Sequence, residues 1–218
     1  MKLVAWLSTA LALLDSAFAG LRNTPPAAAR PVILVHGIYS SGRDLTRLAR
    51  HLEREGRTVL RLDLTPCDGG CGLDELACQL DTFVRENVPS GKFDLVGFSM
   101  GGLVSRYYVQ RLGGVDRVEH FVTLAAPHNG TLMAGANRLP GVVQMRRGSP
   151  FIRELARDLD VLNRVEFTSI YTPLDLVIVP AHSSELPQAR NIRIWALMHP
   201  SLILEKRCLR AVSTALAE

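Results

Sequence analysis

The chain has 218 residues, a formal net charge of +4, 47% apolar residues and 21% charged residues. That balance excludes a disordered chain. Lys and Arg are dispersed rather than clustered, which argues against nucleic acid as a partner.

The chain opens on Met1-Lys2, an apolar stretch over Leu3–Leu14 and the small-x-small triplet Ala17-Phe18-Ala19. This is the pattern of a secretory signal peptide over residues 1–19, cleaved after Ala19, and it implies a secreted or periplasmic protein. The apolar stretch is short for a membrane span, which needs about 20 residues. Residues 20–30, rich in Pro and Ala, read as a flexible leader. Residues 31–218 suit a single domain with one sizeable core.

Strand and helix signals then alternate. Val32–Val35 reads as a strand. Asp44–Glu55 reads as a helix with Leu45, Leu48, Ala49 and Leu52 on one face and Gly56 as its stop. Thr58–Leu62 is a strand, and Leu73–Asn87 a helix with a stripe of Leu73, Leu76, Ala77, Leu80 and Val84 before Pro89. The run Phe93–Val96 and a helix reaching Leu112 follow, then a strand over Val118–Leu124. Phe151–Asn163 is predicted helical, Phe167–Tyr171 and Asn191–Leu197 are strands, and a last helix begins near Leu202. The alternation predicts an α/β fold with about six parallel strands and helices on both faces.

Between the Phe93–Val96 strand and its helix stands Gly97-Phe98-Ser99-Met100-Gly101. A serine there sits on a tight turn with its hydroxyl at the strand's C-terminal edge, and glycines two before and two after remove the clash. Ser99 is therefore the candidate nucleophile. A hydroxyl needs a base and a group to orient that base. The expected chain order of serine, carboxylate, histidine is met by Asp175, beyond the Phe167–Tyr171 strand, and His199, beyond the last strand. Met100 and Ile38 are the candidates whose backbone N–H groups face an oxyanion, Met100 at a helix N-terminus and Ile38 beyond His36-Gly37.

The chain has six histidines. His51 on a charged helix and His120 at a strand start read as structural. His36 precedes the serine and reads as shaping its own loop. His128 reads as loop scaffolding. His182 and Glu185 remain as substitutes for the base and the acid.

Thr131–Ser149 carries Leu132, Met133, Leu139, Val142, Val143 and Met145 among Gly and Pro. It reads either as an apolar acyl-binding wall or small lid, or as ordinary burial of a long connection. Tyr39, Phe98, Leu132 and Met133 are the candidate substrate-contacting residues. Four cysteines are present. Cys67, Cys71 and Cys78 lie close in sequence and Cys208 far away, and at least one bridge among the first three is expected in an exported protein. A cysteine cluster without histidine neighbours is a poor zinc site.

The set Val35-His36-Gly37, Gly97–Gly102, Thr123–Thr131, Asp175 and His199 resembles the α/β-hydrolase superfamily, and within it small secreted bacterial lipases and carboxylesterases. Phe98 departs from the histidine that many such lipases carry before the nucleophile. The resemblance implies a compact α/β-hydrolase domain that cleaves apolar carboxylic esters, acylglycerols among them, through an acyl-enzyme and without metal or organic cofactor. It also implies transient contact with a lipid interface. A thioesterase, a polyester depolymerase, an acyltransferase or a non-catalytic lipid- or protein-binding member are the alternatives on the same fold.

Overall fold

Six parallel strands form one sheet in the order β2-β1-β3-β4-β5-β6, in a computed structural model that describes residues 30–218. The strands are β1 (Val32–Val35), β2 (Val59–Leu62), β3 (Phe93–Phe98), β4 (Val118–Leu124), β5 (Glu166–Tyr171) and β6 (Arg190–Arg193). The expected signal peptide and nearly all of the leader lie outside the described residues. Alternation within the strands sends side chains to two cores. Ile33, Val35 and Leu95 pack on one face with helices α2 (Leu73–Asn87) and α3 (Met100–Arg111). Val32, Leu34 and Val96 pack on the other with α1 (Thr46–Arg54) and the C-terminal α6 (Lys206–Ala215). A parallel sheet covered on both faces explains why the central strand β1 is a continuous, fully buried apolar run.

Two short helices complete the chain, α4 (Pro140–Gln144) and α5 (Pro150–Leu155). The helix expected over Phe151–Asn163 is broken: α5 stops at Leu155 and a 3-10 segment covers Leu159–Arg164. The cause is tertiary. The fully buried Arg106 of α3 donates to Leu155 O at 2.8 Å, as does Gln110 at 3.1 Å, so that carbonyl is occupied by side chains. Arg111 likewise takes Glu154 O at 2.6 Å.

The final strand is also shorter than expected. Beyond Arg193, Ile194 N–H still bonds Tyr171 O at 2.8 Å, but Ala196 N–H and Ala196 O bond to the Thr172 hydroxyl rather than to strand backbone. The last helix starts later, because a 3-10 turn over His199–Leu204 and the extended Glu205 come first.

All four cysteines are free thiols, which corrects the expected bridge. Cys71 donates to the Glu75 carboxylate at 3.1 Å, and burial together with Glu75 pushes its thiol up to about 11. Cys78 faces solvent from α2, and Cys208 is buried in the core on the opposite face of the sheet.

At the N-terminal edge of the sheet, away from the strand ends that carry function in such folds, a fully buried Asp94 pairs with Arg57 at 3.0 Å and His120 at 2.8 Å. Arg30 approaches the same carboxylate at 3.4 Å. His120 is thus spent on a structural hydrogen bond to that carboxylate.

Candidate active site

Ser99 directly follows β3 and caps α3 at φ 54° and ψ −122°, a conformation that side chains rarely adopt. Such backbone costs on the order of 1–3 kcal/mol and persists only where the surroundings over-determine it. They do so here. Ser99 N–H donates to Leu124 O at 2.8 Å, which ties the turn to the neighbouring strand. A Cβ on Gly97 would stand 2.7 Å from Gly101 O, and one on Gly101 would stand 2.3 Å from His36 O. The two glycines are therefore required by contact between backbones, not by flexibility.

Asp175 lies in the loop after β5 and His199 in the segment after β6, and the sheet order brings them together. His199 Nδ1 lies 2.7 Å from Asp175 Oδ2, with both side chains nearly fully buried. The second oxygen, Oδ1, accepts from Val177 N–H at 2.9 Å and Ile178 N–H at 2.8 Å. A carboxylate held this way can only accept, so Nδ1 carries a proton, which in the neutral ring leaves the lone pair on Nε2. The Phe98 ring lies 5.0 Å from the imidazole, centroid to centroid, and backs it. Ser99 and His199 line the same cavity of about 620 Å³, with Phe98, Ile203 and Leu204. A hydroxyl on a strained turn that shares a cavity with an oriented imidazole is an arrangement suited to nucleophilic attack with proton transfer.

The loop after β1 closes against this turn. A Cβ on Gly37 would lie 3.0 Å from the Ser99 Cβ. Tyr39, at φ 53°, gives its N–H to Cys67 O at 2.7 Å. Ile38 lines both cavities that reach Ser99. Met100 opens α3, where the first N–H groups of a helix have no intrahelical acceptor. His36 is fully buried; it donates from Nδ1 to Gly37 O at 2.8 Å and accepts Leu64 N–H on Nε2 at 2.9 Å. Both ring nitrogens are used to hold the loops after β1 and β2.

A second, smaller cavity of about 180 Å³ also reaches Ser99, walled by Met133, Ala134, Val142, Met145 and Ile178 and without His199. The Thr131–Ser149 interval thus both buries its own apolar residues and walls a cavity at the serine. Met133 and Tyr39 line cavities, and Phe98 backs the larger one. Leu132 is exposed nearby, its N–H bound to Val179 O at 2.9 Å, and it lines neither cavity.

The other candidates are engaged elsewhere. His182 is exposed on a 3-10 turn, and Glu185 takes the Tyr171 hydroxyl. His51 bonds Ser213 at 3.0 Å beside α6. His128 begins a relay: its Nε2–H donates to the Thr123 hydroxyl at 2.9 Å, which donates to Ser169 at 3.2 Å, which donates to Ser184 O at 2.7 Å. Full burial, reinforced by Arg106, pulls its pKa well below the usual histidine value, so it stays neutral. Among the described residues no group of three or more His, Cys, Asp and Glu converges as metal ligands would.

Comparison with known proteins agrees with this architecture. The mature lipase BlEst2 of Bacillus licheniformis has the same fold, with a TM-score of 0.71 and 19% identity, covering 89% of this chain and 94% of that one. A lipase-esterase related protein of Clostridium acetobutylicum superposes with a TM-score of 0.63 at 16% identity, over 86% of this chain and 95% of that one. In sequence, the chain is 23% identical over 142 residues to palmitoyl-protein thioesterase 3 of Dictyostelium discoideum. That match covers 62% of this chain and 48% of the thioesterase, so the chain spans about half the length of this relative. The family model for the alpha/beta hydrolase fold matches residues 30–189, from the start of the sheet through the loop that carries Asp175, and the chain belongs to that family.

Proposed function

We propose that the protein is a serine hydrolase of carboxylic esters with Ser99 as nucleophile, His199 as general base and Asp175 as the group that orients it. The observation that carries this reading is the convergence of three separate strand ends on one cavity: the strained Ser99 turn after β3, and the 2.7 Å Asp175–His199 pair after β5 and β6. Ser99 Oγ attacks the ester carbonyl while His199 Nε2 takes its proton. The Ile38 and Met100 N–H groups stabilise the oxyanion, a type of interaction worth about 3–4 kcal/mol per donor. His199 returns the proton to the departing alcohol, and water then cleaves the acyl-enzyme by the same route. No step calls for a cofactor.

Apolar substrates are favoured by the rim. The exposed large apolar residues of the described chain are Tyr39, Leu132, Met133, Leu174, Leu176, Val177, Trp195, Leu197, Met198 and Leu204. Every one lies on a segment leaving the C-terminal end of a strand, and Tyr39, Met133, Val177 and Leu204 line the cavities that reach Ser99. Scattered exposed apolar residues need no explanation, but a set gathered on one rim does. Contact with the surface of an aggregated ester or lipid is the use we assign to it. Export rests on the N-terminal pattern of residues 1–19 and predicts a mature chain beginning at Gly20.

The test is hydrolysis of p-nitrophenyl esters by the purified protein and by Ser99→Ala. Loss of turnover in a folded variant supports the nucleophile, and equal turnover removes it. The thioesterase relative favours a second reading, cleavage of acyl thioesters by the same groups. Faster turnover of an acyl thioester than of the matched oxygen ester would select it.

A further inference from the structure

Two cavities meet at Ser99, and only one of them contains the imidazole. His199, Phe98, Ile203 and Leu204 line the cavity of about 620 Å³. Met133, Ala134, Val142, Met145 and Ile178 line the one of about 180 Å³. Ile38, Tyr39, Ser99 and Val177 are shared and form the ridge between them. We infer that the ridge divides the ester, with the leaving alcohol in the large cavity and the acyl group in the small one, so that the enzyme selects short acyl groups on bulky alcohols. This rests on the reading of Ser99 and His199 as nucleophile and base.

The assignment follows from where the proton must go. When the tetrahedral intermediate collapses, the bond from the former carbonyl carbon to the alcohol oxygen breaks, and that oxygen takes the proton that His199 Nε2 received from Ser99. Such a transfer needs a separation of about 3 Å. The alcohol oxygen must therefore lie on the His199 side of the ridge. The acyl carbon stays bonded to Ser99 Oγ, and its chain turns to the other side, where His199 is absent.

Volume then sets the length. A cavity of about 150 Å³ lined by aliphatic and aromatic side chains holds a benzene molecule, so the smaller cavity at about 180 Å³ holds an acyl chain of about six to eight carbons. Its wall is braced. The Thr131 hydroxyl donates to Val177 O at 2.8 Å and accepts Val179 N–H at 3.0 Å, so it offers no free polar group. Arg146 holds Ala134 O at 3.2 Å and Asn137 O at 2.8 Å, which fixes the backbone of the segment carrying Ala134. Longer chains have to leave past Met133 onto the exposed rim.

Two substrate series read the division. Along p-nitrophenyl esters, kcat/KM is expected to peak between butanoate and octanoate and to fall at least tenfold by palmitate. Along butanoate esters, it is expected to change less than threefold from a methyl to a naphthyl alcohol. Met133→Trp and Leu204→Trp alter exposed side chains, one at each cavity, so folding is not at stake. Met133→Trp should lower the octanoate-to-acetate ratio several-fold, and Leu204→Trp the naphthyl-to-methyl ratio. The reverse pairing, or both variants moving both ratios alike, overturns the division while leaving the hydrolase intact. Absence of turnover on every ester removes the hydrolase reading and the division with it.

Discussion

Replacing Asp175 by Asn tests whether the carboxylate orients the base through both of its oxygens. One oxygen accepts two backbone N–H groups, from Val177 and Ile178, and the other accepts the imidazole Nδ1–H. An amide has one acceptor oxygen, and its nitrogen can only donate. If that oxygen stays with the two backbone donors, the NH₂ faces His199 and forces the proton from Nδ1 to Nε2, where the ring can no longer accept from Ser99. If the amide flips to serve the imidazole, one buried and one partly buried donor lose their acceptor, at roughly 1–3 kcal/mol each. The productive orientation is thus disfavoured by about 2–6 kcal/mol, which converts to a loss in kcat of about 30-fold to 10⁴-fold. The assay is kcat for p-nitrophenyl butanoate beside thermal unfolding of the same variant. A folded Asp175→Asn with kcat within threefold of the parent would refute the reasoning.

Asp94→Asn should leave Arg57 without its buried counter-charge and lower stability by roughly 3–5 kcal/mol in urea, with catalysis retained in the folded fraction; a change below about 0.5 kcal/mol would contradict the role of that ion pair. His128 is held neutral in the fold and has its ordinary value of 6.5 when unfolded, so unfolding takes up a proton below pH 6.5. Stability is lost as pH falls from 6.5 and is untouched above it, and His128→Gln should flatten that acid limb by about 1.4 kcal/mol per pH unit. Identical limbs in urea titrations at pH 7 and pH 5 would remove the assignment. With a thiol reagent, exposed Cys78 should react first, and Cys208, buried and pushed up to about 12, only after denaturation. Fewer than four reactive thiols in the unfolded, unreduced chain would restore a disulfide.

Much of the site is legible because its constraints are local. The glycines at 97 and 101 report backbone contact within one turn, and the order of Ser99, Asp175 and His199 follows from their places after strands. The helix over Leu73–Asn87 is legible to the residue because its apolar stripe lies within it and Pro89 follows close behind. The misread parts are governed by partners distant in sequence. The periodicity past Leu155 continues, yet Arg106 and Gln110 occupy the carbonyl there. The strand pattern past Arg193 also continues, with Ile194 and Ala196 inward and Trp195 and Leu197 outward, but its pairing passes to a threonine hydroxyl. Cysteine spacing is a still weaker guide, since Cys71 turns to Glu75 and Cys208 lies across the sheet. Nor does the sequence announce the ridge of Ile38, Tyr39, Ser99 and Val177, which draws on three separate segments, after β1, β3 and β5.

The most direct measurement is labelling of the purified chain with a fluorophosphonate, followed by mass spectrometry of its peptides. A single stoichiometric adduct on Ser99 is expected, slowed severely by His199→Ala and absent in Ser99→Ala. An unlabelled Ser99 in folded protein, or an adduct on another residue, would contradict it.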